Sequence, residues 1–169
     1  MAYTYSKLAS YTVGSGGISE VNFLAIPQNY TDLVLKFSGR NSTTSTQGLI
    51  TFNGSTSSYT GKRLYADGAT ATSDAGNTTN FNPSSIVFST YTANTFGNAE
   101  IYIPNYTGNN YKSVSIDAVT ENNATTAFYG IFAGLWSNTA PITSITFIAN
   151  GGNMTQYSTF TLYGIKAEV

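Results

Sequence analysis

The sequence predicts an all-β protein: an antiparallel β-sandwich, jelly-roll-like, built from about ten short strands. Three observations predict it. The 169 residues include 26 Thr, 13 Tyr and 10 Phe, types that suit pleated, half-buried strands. Another 17 Asn, 19 Ser and 16 Gly supply the turns between them. Finally, no stretch carries apolar residues at helical spacing over three turns, whereas short β-type runs bounded by Gly, Asn, Ser and Pro recur along the whole chain.

Taken in order, strands are expected at Leu8–Val13, Ile18–Leu24, Asp32–Gly39, Gly48–Asn53, Ser85–Tyr91, Ala99–Ile103, Lys112–Val119, Phe128–Trp136, Thr143–Ala149 and Tyr157–Lys166. Gly61–Ala66 reads as a strand or a short turn of helix. Several runs alternate. Leu33, Leu35 and Phe37 share a face opposite Val34 and Lys36; Val114, Ile116 and Ala118 oppose Ser113, Ser115 and Asp117. Ile145, Phe147 and Ala149 oppose Ser144, Thr146 and Ile148, and Phe160, Leu162 and Gly164 oppose Thr161 and Tyr163. One face per strand turned inward is what a two-layer sandwich requires. Asn53-Gly54, Asp67-Gly68 and Gly151-Gly152 are tight-turn pairs. Ala66–Pro83 is the longest stretch of low hydrophobicity and reads as a loop, a plain surface excursion or a contact loop. Residues 1–17 form an N-terminal arm or first strand, and residues 18–169 a single β-sandwich domain.

The polar part of the chain is uncharged. Only 9% of residues carry charge, against about 25% in ordinary soluble domains, and the net charge is −1. Nucleic-acid binding needs a basic stripe, and the seven Lys and Arg are scattered apart from Lys62-Arg63, so no nucleic-acid partner is expected. The same scatter removes attraction to anionic membranes, and no apolar run is long enough for a helix to span a bilayer. The first ten residues lack a basic start followed by an apolar stretch, so no secretory signal is expected. Seven Asn-X-Ser/Thr sequons, at Asn29, Asn41, Asn53, Asn77, Asn105, Asn123 and Asn153, follow from the composition alone.

With no Cys and no His, thiol nucleophiles, Ser-His-Asp triads and nearly all zinc and copper sites are removed. Gly14-Ser-Gly-Gly17 lacks the following Lys of a phosphate loop. A carboxylate pair is the one common catalytic mechanism left open. Pairing Ile103 with Val114 and Ile101 with Ile116 would set Glu100 opposite Asp117 on the non-core face. Like charges there repel unless a cation lies between them. The pair is therefore a weak metal or acid–base candidate, or an exposed pair neutralised by Lys112 or by a neighbouring chain, or the product of a one-residue register error. No enzyme activity and no cofactor are expected. Tyr59, Tyr65, Tyr91, Tyr106, Tyr111 and Tyr157 fall at strand ends or in loops, where aromatic rings can pack, stack on sugars or serve protein interfaces.

Three strings make the chain recognisable: Asn94-Thr-Phe-Gly-Asn-Ala-Glu-Ile-Tyr-Ile-Pro-Asn-Tyr106, Gly134-Leu-Trp-Ser-Asn-Thr-Ala-Pro-Ile-Thr-Ser-Ile-Thr-Phe147 and Tyr157-Ser-Thr-Phe-Thr-Leu-Tyr-Gly-Ile-Lys166. They resemble small virion structural proteins of tailed bacteriophages, the capsid decoration or cement type, over roughly Ile18 to the end. That resemblance implies a trimer bound to the major capsid protein, located in the virion and made in the host cytoplasm, with no catalytic residues to carry over. A tail-fibre or receptor-binding domain recognising host surface glycans is the competing implication. Tyr3, Tyr5, Leu8, Tyr65, Tyr106 and Tyr111 are the interaction candidates, the first three because an arm over Met1–Gly17 would anchor on the capsid or on a neighbouring subunit.

Overall fold

The computed structural model describes residues 3–44, 48–68, 70–83, 86–121 and 127–167. Among them are eleven strands: β1 (Tyr3–Thr12), β2 (Glu20–Phe23), β3 (Asp32–Gly39), β4 (Gly48–Phe52), β5 (Tyr59–Asp67), β6 (Thr70–Ala75), β7 (Gly97–Ile103), β8 (Lys112–Val119), β9 (Phe128–Trp136), β10 (Ile145–Ala149) and β11 (Thr159–Ala167). Eight form one sheet in the order β1-β11-β3-β7-β8-β9-β5-β6, and three form a second in the order β2-β10-β4. Every named pairing is antiparallel. The two-layer antiparallel sandwich read from the alternation is what forms. Its eight-and-three division does not by itself make a jelly roll.

The inward faces are those the alternation assigns. Leu33, Leu35 and Phe37 of β3, Ile101 of β7, Val114 and Ile116 of β8 and Phe160 and Leu162 of β11 belong to one buried cluster with Ile145 and Phe147 of β10. Aromatic rings join the layers. Phe147 packs on Phe37 with centroids 4.6 Å apart and on Phe160 at 4.8 Å. Towards the other wing, Phe52 of β4 meets Trp136 of β9 at 5.7 Å and Phe81 at 5.5 Å. Such edge-to-face and tilted contacts add to the burial of the rings themselves. A cross-strand pair of glycines, Gly61 opposite Gly134, makes room for this second cluster. A Cβ on Gly134 would stand 2.5 Å from the Phe81 ring, and one on Gly61 2.3 Å from that of Phe132.

Of the two alternatives for the N-terminal segment, residues 3–12 take the strand: they are β1, hydrogen-bonded along β11 from Tyr3↔Ala167 to Thr12↔Thr159, with a bulge between Lys7 and Ala9. Ala66–Pro83 is only partly loop. Thr70–Ala75 pairs with β5 as the outermost strand, and nearly all of its side chains are exposed on both faces. Hydrophobic alternation reports burial, and this edge strand buries almost nothing. The reverse holds at Ser85–Tyr91, where the described residues 86–91 form no strand. Val87 makes a single parallel bridge to Arg40, while Ile86 and Val87 insert their side chains into the core. Their apolar character comes from burial of an irregular segment.

The turn chemistry holds at Asn53-Gly54, where both residues have positive φ (52° and 66°) and the Ser55 amide donates to the Phe52 carbonyl at 2.9 Å. The Asn53 side chain then acts as a staple. Its Oδ1 accepts from the amides of Thr143 (2.8 Å) and Ser144 (3.0 Å), and its Nδ2 donates to the Pro141 carbonyl (2.8 Å).

Candidate functional site

The outward face of the eight-stranded sheet carries a trough of about 1150 Å³ that crosses from β3 to β6. Strand register explains it. One row runs straight across the sheet as Lys36, Glu100, Asp117, Ile131, Leu64 and Ser73, each residue directly opposite the next. The neighbouring row reads Tyr102, Ser115, Ala133 and Lys62. Two small side chains, Ser115 and Ala133, lie between a tyrosine and a lysine. They form the floor, and the longer chains form the walls.

Glu100 and Asp117 are opposite each other on the exposed face, in the register that the Ile101↔Ile116 pairing dictates. Within the chain, their charges are met by partners other than Lys112. Lys36 Nζ lies 2.7 Å from Glu100 Oε2, and this carboxylate raises the Lys36 ammonium above its ordinary value. Tyr129 donates its hydroxyl to Asp117 Oδ2 at 3.2 Å, and the hydrogen bond and charge of that carboxylate raise the tyrosine in turn. Lys112 is not the neutralising cation. It is 0% exposed at the end of the sandwich, and its ammonium donates to the carbonyls of Gly108 (2.7 Å), Asn110 (2.6 Å) and Thr139 (3.2 Å). Among the described residues, no three His, Cys, Asp or Glu side chains converge as a metal ion requires.

The aromatic candidates do not converge either. Tyr5, 53% exposed, rests edge-on against Tyr163 at 6.1 Å on the outermost strand β1. Leu8, at the bulge of that strand, packs against the core. Tyr3 opens β1 opposite Ala167, and its side chain lies outside what the structure describes. Tyr65 is far across the sheet on β5, half-buried, with the Arg63 guanidinium 4.9 Å over its ring and Phe128 beside it. Tyr111 is exposed in the loop between β7 and β8. Tyr106 is a correction: it is 0% exposed, and its hydroxyl donates to the Pro27 carbonyl. A ring this buried packs the loop end of the core and offers nothing to a partner. Tyr59 is likewise internal, its oxygen accepting from the Phe52 amide at 2.8 Å.

The sequence reading missed the apolar side of the trough. Leu64 (51% exposed) and Ile131 (48%) face each other across β5 and β9 on the outward side. The available signal was parity: Ile131 alternates against Phe132 and Trp136, so an inward Phe132 puts an isoleucine in water.

No protein-family model, no curated protein and no solved structure matches this chain.

Proposed function

We propose that the protein is a structural component of a tailed-phage virion, a decoration protein that binds the major capsid protein on the head as a homotrimer. The observation that carries this reading is β1. It is a ten-residue strand at the margin of the large sheet, hydrogen-bonded along one edge to β11, with Tyr5 and Tyr11 exposed on it. A marginal strand with exposed aromatics suits attachment by strand addition or by aromatic anchoring. The low charge of the chain fits as well, since interface cores are depleted in charge and enriched in aromatics. The mechanism is passive. Each copy that binds only the assembled shell raises the free energy needed to rupture it. On this reading the attachment element is a folded edge strand rather than a free arm.

Copy number per virion is the test, measured by quantitative mass spectrometry against the major capsid protein. Hundreds of copies support decoration. A few to a few tens overturn it and move the protein to the tail, as a fibre or receptor-binding domain.

A further inference from the structure

We infer that the trough on the outward face of the eight-stranded sheet is a binding site for a neutral, extended, polyhydroxylated ligand: an uncharged oligosaccharide. The inference stands whether the protein is on the head or on the tail. The chain has seven basic and eight acidic residues in all, yet Lys36, Lys62, Glu100 and Asp117 all line this one trough. Two positive and two negative side chains cancel, and Arg63, which also lines the trough, stands opposite the inward Phe132 and has its charge matched by Asp74. The walls therefore give no net pull on a phosphate, a sulfate, a uronate or a polybasic segment, while offering donors and acceptors side by side.

The trough also pairs polar with apolar surface. Leu64 and Ile131, both about half-exposed, lie in the same cross-sheet row as Glu100 and Asp117. A pyranose ring has the matching character, with hydroxyl groups around its edge and C–H bonds over its faces. Floor residues Ser115 and Ala133 leave a flat passage along which consecutive rings can lie. The volume of about 1150 Å³ exceeds the roughly 300–1,000 Å³ of ordinary small-molecule sites, which suits a chain of several sugar units rather than one.

Three of the polar groups around the trough already have partners on the protein. Lys36 fixes Glu100 at 2.7 Å, the Tyr129 hydroxyl fixes Asp117 at 3.2 Å, and the Tyr102 hydroxyl donates to Asp32 at 2.8 Å, which fixes its ring at the rim. Groups ordered before the ligand arrives lose little freedom on binding it.

The experiment is a glycan array probed with the full chain, followed by calorimetric titration of the best neutral oligosaccharide into wild type and Ala133→Trp. Ala133 is exposed and away from the core, so the indole fills the floor without touching the folded interior. We expect neutral glycans to be retained. We also expect Ala133→Trp to weaken binding at least tenfold with an unchanged unfolding midpoint, and Ser115→Arg to act in the same direction. Retention of no glycan or of anionic glycans alone overturns the proposal. So does neutral-glycan binding that survives both substitutions.

Discussion

Each end of the sandwich is pinned by a cation, and the two pins work differently. At one end Arg40, just after β3, donates to four carbonyls of one loop: Ser89 (3.0 Å), Tyr91 (2.9 Å), Thr92 (2.9 Å) and Thr95 (3.0 Å). At the other, Lys112 opens β8 and reaches carbonyls of two loops, Gly108 and Asn110 before it and Thr139 after β9. The guanidinium is a rigid fork that gathers a single loop at the surface, and the ammonium is a compact point donor that ties two loops under cover. Burial lowers the proton affinity of both. With no cysteine to cross-link its loops, the chain fastens them by neutralising carbonyl dipoles with two of its seven basic side chains.

The contrast can be broken at its buried end first. Lys112→Met keeps the apolar stem and deletes three charge-assisted hydrogen bonds, so a loss of about 3 kcal/mol is expected in urea unfolding. A loss below about 1 kcal/mol would mean that water replaces the ammonium without consequence. Tyr59→Phe tests the same end without a charge. It orphans the buried Phe52 amide, and about 2 kcal/mol should be lost. Arg40→Lys probes the surface pin: charge stays, the fork goes, and about 1 kcal/mol should be lost. Its signature is local, with faster amide hydrogen exchange confined to residues 89–95.

The smallest effect belongs to an ion pair that fastens no loop. Arg63 Nε donates to Asp74 Oδ1 at 2.8 Å across β5 and β6, and this hydrogen bond holds the Asp74 carboxyl below its ordinary value. A carboxylate depressed in the folded state contributes stability that is present above its unfolded value and lost as pH falls through the folded one. Asp74→Asn should therefore cost about 0.5 kcal/mol near neutrality, as partly exposed pairs do, and nothing once the pH is below the folded value. Equilibrium unfolding of both proteins at pH 7 and in acid checks the convergence.

Much of this architecture was legible in the chain because a strand's alternation is a direct record of which face meets the core. β3, β8, β10 and β11 announce their inward residues, and Ile101 against Ile116 was enough to set Glu100 opposite Asp117. Three things were not legible, each for a physical reason. β6 has no hydrophobic face because an edge strand outside the second layer has nothing to bury. Lys112 reads as a surface residue, since only the folded loops bring three carbonyls to its ammonium. The trough draws on six strands, so its rows exist only once register is set, and no local stretch of sequence contains it. Of the site candidates, Glu100 and Asp117 line the trough, while the tyrosines singled out for partners are dispersed or, as with Tyr106, buried.

The place of β11 bears on how the chain is born. This strand, synthesised after all the other described ones, lies between β1 and β3, which are among the first. The large sheet therefore cannot close until that strand has been made. β1 must wait, unpaired, until the ribosome has delivered Thr159–Ala167, and most of the contacts that then form join residues far apart in sequence, a topology that folds slowly. During that interval, an extended segment containing Tyr5 and Tyr11 is open to the wrong neighbour. Lys7 within it and the irregular step beside it are features that blunt unwanted strand pairing, so the same two details can guard the nascent chain before they shape the margin of the finished one.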